Sequence, residues 1–409
     1  MEQALEILTQ IRSALPLSVV GVERQMLIGD LVARLSAEEK LTLKSVVDGF
    51  LLRMFDVSAS DMDLGGMGSY GKVWYRIHGV KKPDPSIPQF SEDDTNALIQ
   101  SILAERQRQY LYEIRNLDFS YMIVHEGRHQ RFRADAYFDL DQIALNMRAI
   151  NASIRPYKSL DLHPNVTKVL SLQNTKEGLC LVTGITGSGK SSTLDSIIDA
   201  NNHSVDAHIV IIASPIEYVH QSDKCIVRHR EVGRDVLSFK DGAIQALRQD
   251  PDIIMIGELR DAETILTALE ITDSGHKVFS TLHTSSAVES IDRIIGETPQ
   301  AEQERVRNRL ADVVRCVISQ KLVPSLDGKR ALAKEIMIAT PSVRAAIKNK
   351  NTGEIYQMMS ESGEQGMITM EQDLKRLYIS KKISLETAIN FANNKRRLQQ
   401  ILNLVPQGD

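Results

Sequence analysis

The run Gly184-Ile-Thr186-Gly187-Ser188-Gly189-Lys190-Ser191 has the glycine, lysine and hydroxyl spacing of a phosphate-binding loop. Its glycines let the backbone curl until successive N–H groups face one point. The apolar stretch Leu179–Val182 leads in as a strand, and a helix opening with Ser191 and Ser192 leads out. A helix start there adds roughly half a positive charge where a phosphate would sit. Lys190 would reach the β- and γ-phosphates of a nucleoside triphosphate, and the Ser191 hydroxyl would ligate Mg2+. Gly184, Thr186, Gly187, Ser188, Gly189, Lys190, Ser191 and Ser192 are therefore the expected nucleotide contacts, with ATP and Mg2+ the expected ligands.

A second set of residues lies further on. Asp250-Pro-Asp252-Ile-Ile-Met-Ile256-Gly257-Glu258 reads as a buried strand bounded by acids. An acid ending such a strand holds the Mg2+ shell or positions the attacking water, which makes Glu258 the candidate. Asp261 would instead cap the next helix. His276 and His283 flank one short strand, but no third ligand recurs nearby to make a zinc site. Pro215-Ile-Glu217 supplies another acid, and Arg131-Phe-Arg133 reads by spacing alone as a solvated strand face.

These residues need elements to carry them. From Gly178 to about Ile338 strand and helix patterns alternate, which argues for a doubly wound parallel α/β domain. Residues 1–55 read as helices, with Ser36 and Glu39 forming a capping box. Residues 56–155 read as a small α+β domain, with strands at Lys72–His78, Leu117–Val124 and Phe132–Phe138 and one helix near Asp93–Leu111. Residues 156–170 read as a linker, 171–340 as the phosphate-loop domain and 341–409 as a helical tail. No apolar run has the ~20 residues of a membrane span, and no signal peptide is visible. The net charge of −4 removes any global basic excess, so no nucleic-acid partner is expected. Cys180, Cys225 and Cys316 never pair at C-x-x-C spacing, which argues against a cysteine zinc module and for a reducing, cytosolic compartment.

Four segments together resemble the motor ATPases of type II and type IV secretion and pilus systems, most of all the twitching-motility, pilus-retraction branch. They are the phosphate loop, the acidic stretch Gln245–Asp261, the stretch Gly275–Thr284 resembling a histidine box, and Pro215–His220 resembling the tail of an aspartate box. The resemblance runs from about Ser58 to about Asn390. It implies a ring hexamer whose subunits carry a PAS-like N-domain and a RecA-like ATPase domain, with hydrolysis rotating one against the other. It further implies that Arg131 and Arg133 reach the nucleotide and that His283 senses the phosphate. Glu258 and Glu217 are left as the acids that orient water. The ring would sit in the cytoplasm, docked peripherally on an inner-membrane platform protein.

Two departures stand out. Where the aspartate box has a glutamate and an aspartate before Pro-Ile-Glu, this chain has Ala213 and Ser214. Losing a general base costs about 10²- to 10⁴-fold, so hydrolysis is expected to be slow. The branch's C-terminal Ala-Ile-Arg-Asn-Leu-Ile helix is here Ser342-Val-Arg344-Ala-Ala-Ile347. Besides a pilus-retraction motor, the sequence is therefore compatible with a weakly hydrolysing ring subunit that regulates or joins a true motor. A zinc-free type IV secretion or conjugation ATPase is the other alternative.

Overall fold

Alternation of apolar and polar residues sends one side of a strand inward, and Leu117, Phe119, Tyr121 and Ile123 are all buried. They belong to the first of two units, Met1–Ala152 and Ser153–Asp409, in a computed structural model of the chain. The structure describes residues 1–125, 127–150 and 154–403.

The first unit opens with helices α1 (Glu2–Ser13), α2 (Gly21–Arg34) and α3 (Ala37–Asp56). The capping box is present: the Glu39 N–H donates to Ser36 Oγ, and the Ser36 N–H to Glu39 Oε2. Strands β1 (Ala59–Gly65), β2 (Trp74–Ile77) and β3 (Val80–Pro83) follow, then helices α4 (Glu92–Ser101) and α5 (Glu105–Ile114). Strands β4 (Asn116–His125), β5 (Arg128–Asp139) and β6 (Gln142–Ala149) complete an antiparallel sheet of order β3-β2-β1-β6-β5-β4. The single helix expected near Asp93–Leu111 is two. Arg108 Nη1 donates to the Gln100 and Leu103 carbonyls and so closes the end of α4, while Gln107 caps the start of α5.

All three N-terminal helices share one core with the sheet: Ile7, Leu8, Ile28, Val32, Val47 and Phe50 pack in the cluster that holds Leu98, Phe132 and Met147. Asp93 and Asp94, in the first turn of α4, pair with Arg24 and Arg12. The other face of the sheet is mostly polar, with Met122 and Val124 exposed on β4. Lys81–Asp63 at 2.7 Å, Arg148–Asp61 at 2.8 Å and Arg133–Asp118 at 2.6 Å lace it together.

The second unit begins with α6 (Pro164–Leu170) and the central strand β7 (Gly178–Thr183). Residues 156–170, expected as a linker, are packed: Leu160, Val166 and Leu170 enter the core, and Lys334 Nζ donates to the Leu160 and Asp161 carbonyls at 2.5 Å. Then come α7 (Lys190–Asn202), β8 (Ala207–Ala213), β9 (Cys225–Glu231), α8 (Phe239–Ala246), β10 (Ile253–Ile256), α9 (Ala262–Asp273) and β11 (Lys277–Leu282). Helices α10 (Ala287–Gly296) and α11 (Gln303–Val313) lead to strands β12 (Val314–Pro324) and β13 (Arg330–Ile338). The sheet order is β13-β12-β7-β11-β10-β8-β9. Strands β7, β10 and β11 are buried along their whole length, as parallel strands covered on both faces must be.

The sheet is mixed, not wholly parallel as expected, because β12 and β13 form an antiparallel pair at one edge. Helices α12 (Pro341–Lys348), α13 (Ile355–Glu361), α14 (Met370–Ile379), α15 (Leu385–Phe391) and α16 (Lys395–Ile401) end the described chain. Of these, α12 joins the main core through Val343 and Ile347, whereas α14 to α16 pack on β12 and β13 around Leu374, Leu377 and Leu398. Cys180, Cys225 and Cys316 are all buried and reduced. No helix among the described residues is long and apolar enough to cross a membrane.

Candidate nucleotide site

Parallel pairing brings the C-terminal ends of β7, β8, β10 and β11 to one edge of the sheet. Ligands of open α/β sheets bind at that edge. The four ends are followed, respectively, by the loop Gly184–Gly189, by Ser214 to Glu217, by Gly257-Glu258, and by His283.

The loop has the backbone its glycines permit. Gly187 and Gly189 have φ of 78° and 86°, the left-handed region where a side chain is costly. A Cβ on Gly184 would come within 2.4 Å of Ser188 Oγ and 2.5 Å of the Gln320 carbonyl, so no larger residue fits. Thr186 and Gly187 are exposed at the rim, Ser191 is half-buried in the first turn of α7, and Ser192 is exposed. Ser188 Oγ is buried without a hydrogen-bond partner among the described residues. An unsatisfied hydroxyl in a loop that leads into the N-terminus of α7 fits an anion that brings acceptors.

Lys190 is buried, and its Nζ donates to the Gly184 carbonyl at 2.8 Å and the Ile185 carbonyl at 3.2 Å. Burial pushes its pKa down, while Glu258 and Glu217 push it back up. Both acids thus lie within electrostatic reach of the ammonium. Glu258 Oε1 is 2.7 Å from Arg260 Nε and 3.8 Å from His283 Nε2. Burial holds His283 below the usual histidine range, and Lys190 lowers it further against Glu258. Lys190, Glu258, His283 and Glu217 are thereby brought together.

Other expectations sort themselves by geometry. Asp261 caps α9, accepting from the Thr264 N–H at 2.8 Å. His276 is held in its turn by Ser274 Oγ at 3.0 Å. Arg131 and Arg133 lie on β5 of the other unit, Arg133 paired with Asp118. Ala213 ends β8 beside Gly257, where an added Cβ would lie 3.2 Å from the alanine Cα. A hydroxyl from Ser191 and a carboxylate from Glu258 make an oxygen-only donor set, which suits a hard cation such as Mg2+.

Sequence reasoning missed Gln320, on β12. Its Nε2 donates to the Ser188 carbonyl at 2.8 Å, and its Oε1 accepts from Thr193 Oγ1 at 2.9 Å, bracing the loop and the first turns of α7 at once. Only the packing of β12 against β7 brings it there. Its neighbours Ser319 and Lys321 are also polar, so nothing in the sequence singled it out.

The model of the family described as type II/IV secretion system protein matches residues 142–404. The type IV pilus retraction ATPase PilT of Pseudomonas aeruginosa is 39% identical over 303 residues, covering 74% of this chain and 86% of PilT. A crystal structure of the pilus retraction motor PilT with bound ADP superposes with a TM-score of 0.77 at 37% identity, covering 86% of this chain and 98% of that one. The Legionella pneumophila ATPase DotB superposes with a TM-score of 0.75 at 26% identity, covering 88% and 96%.

Proposed function

Since the chain belongs to the type II/IV secretion ATPase family and is similar to pilus-retraction and twitching-motility proteins, we propose that it is a hexameric ATP-driven motor of pilus dynamics. The observation that carries this reading is the meeting of Lys190, Glu258 and His283 at the carboxyl edge of the sheet, over a loop that only glycines can form. The loop N–H groups and the start of α7 would bind the phosphates, and Lys190 would leave the Gly184 carbonyl for the β- and γ-oxygens. Ser191 and Glu258 would hold a Mg2+ ion, whose charge would neutralise that of the phosphates. Glu258 and Glu217 would orient the attacking water, and His283, neutral at pH 7, would donate to or accept from the γ-phosphate region.

The same reading makes the second unit RecA-like and the first PAS-like, with Arg131 and Arg133 offered to the nucleotide to stabilise charge in the transition state. The ring is cytoplasmic and docks on an inner-membrane platform protein.

Phosphate release from the purified full chain tests the enzyme, with Lys190→Ala as control; equal rates in the two proteins would remove it. Native mass measurement tests the hexamer. Restoration of twitching in a host lacking its own retraction ATPase tests the task. Ala213 and Ser214 favour one other reading, a slow ring subunit that works with a faster motor. Restored twitching only when the host's motor is also present would select it.

A further inference from the structure

The loop from Ser214 to Lys224 joins β8 to β9 and carries Glu217. It is anchored at both ends. The Ile216 N–H donates to Glu231 Oε2 at 3.1 Å. Asn202 Nδ2 donates to the Gln221 carbonyl at 2.8 Å, and Asn202 Oδ1 accepts from the Asp223 N–H at 3.2 Å. Between the anchors the His220 side chain is wholly buried, with Nε2 3.1 Å from Asp195 Oδ1. The His220 backbone N–H donates to His229 Nε2, on β9, at 3.0 Å. The two imidazoles lie nearly parallel with centroids 6.0 Å apart, and Tyr218 meets His220 edge-on at 4.8 Å.

Asp195 sits in the second turn of α7, the helix whose first turn carries Lys190 and Ser191. The pair therefore spans from the phosphate-loop helix to the loop of Glu217. Burying an imidazole against a partly buried carboxylate is costly, and His220 Nδ1 finds no partner among the described residues. A surface connection needs no such pair merely to stay folded, since its ends are already tied by Glu231 and Asn202. What the pair adds is a defined distance. His220 must carry its proton on Nε2 to donate to Asp195, whereas His229 must leave Nε2 bare to accept.

We propose that Asp195 and His220, backed by His229, are positioning residues that hold Glu217 at a set distance from Lys190. This rests on the reading of Glu217 as an acid that orients water. Phosphoryl transfer draws most of its rate from placement, so a loosened strut acts on turnover more than on binding.

Steady-state kinetics and hydrogen exchange of the full chain test it. His220→Ala is expected to lower kcat by about 10- to 100-fold while KM for MgATP moves less than about threefold. His220→Gln keeps a donor for Asp195 and is expected to recover part of the loss. Added to Glu217→Gln, the alanine variant should cost less than about twofold more, because both act through one group. A rise in KM at constant kcat, no advantage for Gln over Ala, or losses that multiply would overturn the proposal. Wild-type turnover in Glu217→Gln would sink the reading of Glu217, and this inference with it. Impaired Glu217→Gln beside an unimpaired His220→Ala would sink the strut alone. Hydrogen exchange needs no turnover: His220→Ala should speed exchange at amides 216–221 while α7 and β8 stay protected. Unchanged exchange there overturns the strut.

Discussion

Ala213 ends β8 with its side chain partly exposed, one residue before the turn toward Glu217. A carboxylate there would extend toward the same edge as Glu258 without displacing the backbone, since the alanine Cβ already occupies its place beside Gly257. Ala213→Glu is therefore expected to raise phosphate release by about tenfold or more, approaching the range a general base contributes. No gain in single-turnover rate would mean that water is already oriented by the acids present. His283 makes a second prediction at this scale. Burial and the nearby Lys190 hold its imidazole below the ordinary value of 6.5, so it is neutral at pH 7. The acid limb of the kcat profile that reports its protonation is expected below pH 6.5, and His283→Ala should remove that limb. These residues were legible as candidates in the sequence because loop, acidic strand and histidine stretch are each contiguous. Their pairing was not, since Glu258 and His283 end different strands.

At the scale of elements, β12 and β13 do work that no motif marks. Gln320 is expected to matter through the loop it braces. Gln320→Ala leaves the Ser188 carbonyl and the Thr193 hydroxyl without that partner and should weaken nucleotide binding by about 1–3 kcal/mol, read by titration with a fluorescent ATP analogue. Glu335, on β13, is nearly fully buried and accepts from the Ala287 N–H at 2.7 Å, at the first turn of α10. Burial, with Glu371 adding to it, pushes its pKa up to about 7. The folded protein thus binds this proton more tightly than the unfolded chain. Stability is expected to fall as pH rises from the ordinary glutamate range to about 7 and to be flat above it. Glu335→Gln should flatten that slope, worth on the order of 3 kcal/mol across the window, in denaturant unfolding curves. The β12–β13 pair escaped the sequence reading because Ser319, Gln320 and Lys321 in one strand and Lys334 and Glu335 in the other break the apolar run that marks a buried strand.

At the scale of the molecule, the N-terminal helices are structural members of the first unit. Ile28 is fully buried and Leu8 nearly so, in the core that also holds Phe132 and Met147. Ile28→Ala and Leu8→Ala are each expected to cost about 2–5 kcal/mol of that unit's stability, measured by denaturant unfolding. Losses below about 0.5 kcal/mol would mark the helices as an appendage. The family model falls mainly on the second unit, which holds the phosphate loop and nearly all of the matched residues 142–404, whereas the likeness to PilT covers 74% of the chain and so extends into the first unit.

The sequence by itself determined the phosphate loop, the acidic strand and the histidine stretch. Each of these is a matter of residue type at short spacing, and short spacing is what local backbone geometry reads. Only the tertiary structure decided that Gln320 braces the loop, that His220 reaches Asp195, that residues 156–170 are packed and that the sheet is mixed. Those facts depend on strand order and on burial. Both are settled by which apolar faces meet, a choice made between segments far apart in the chain.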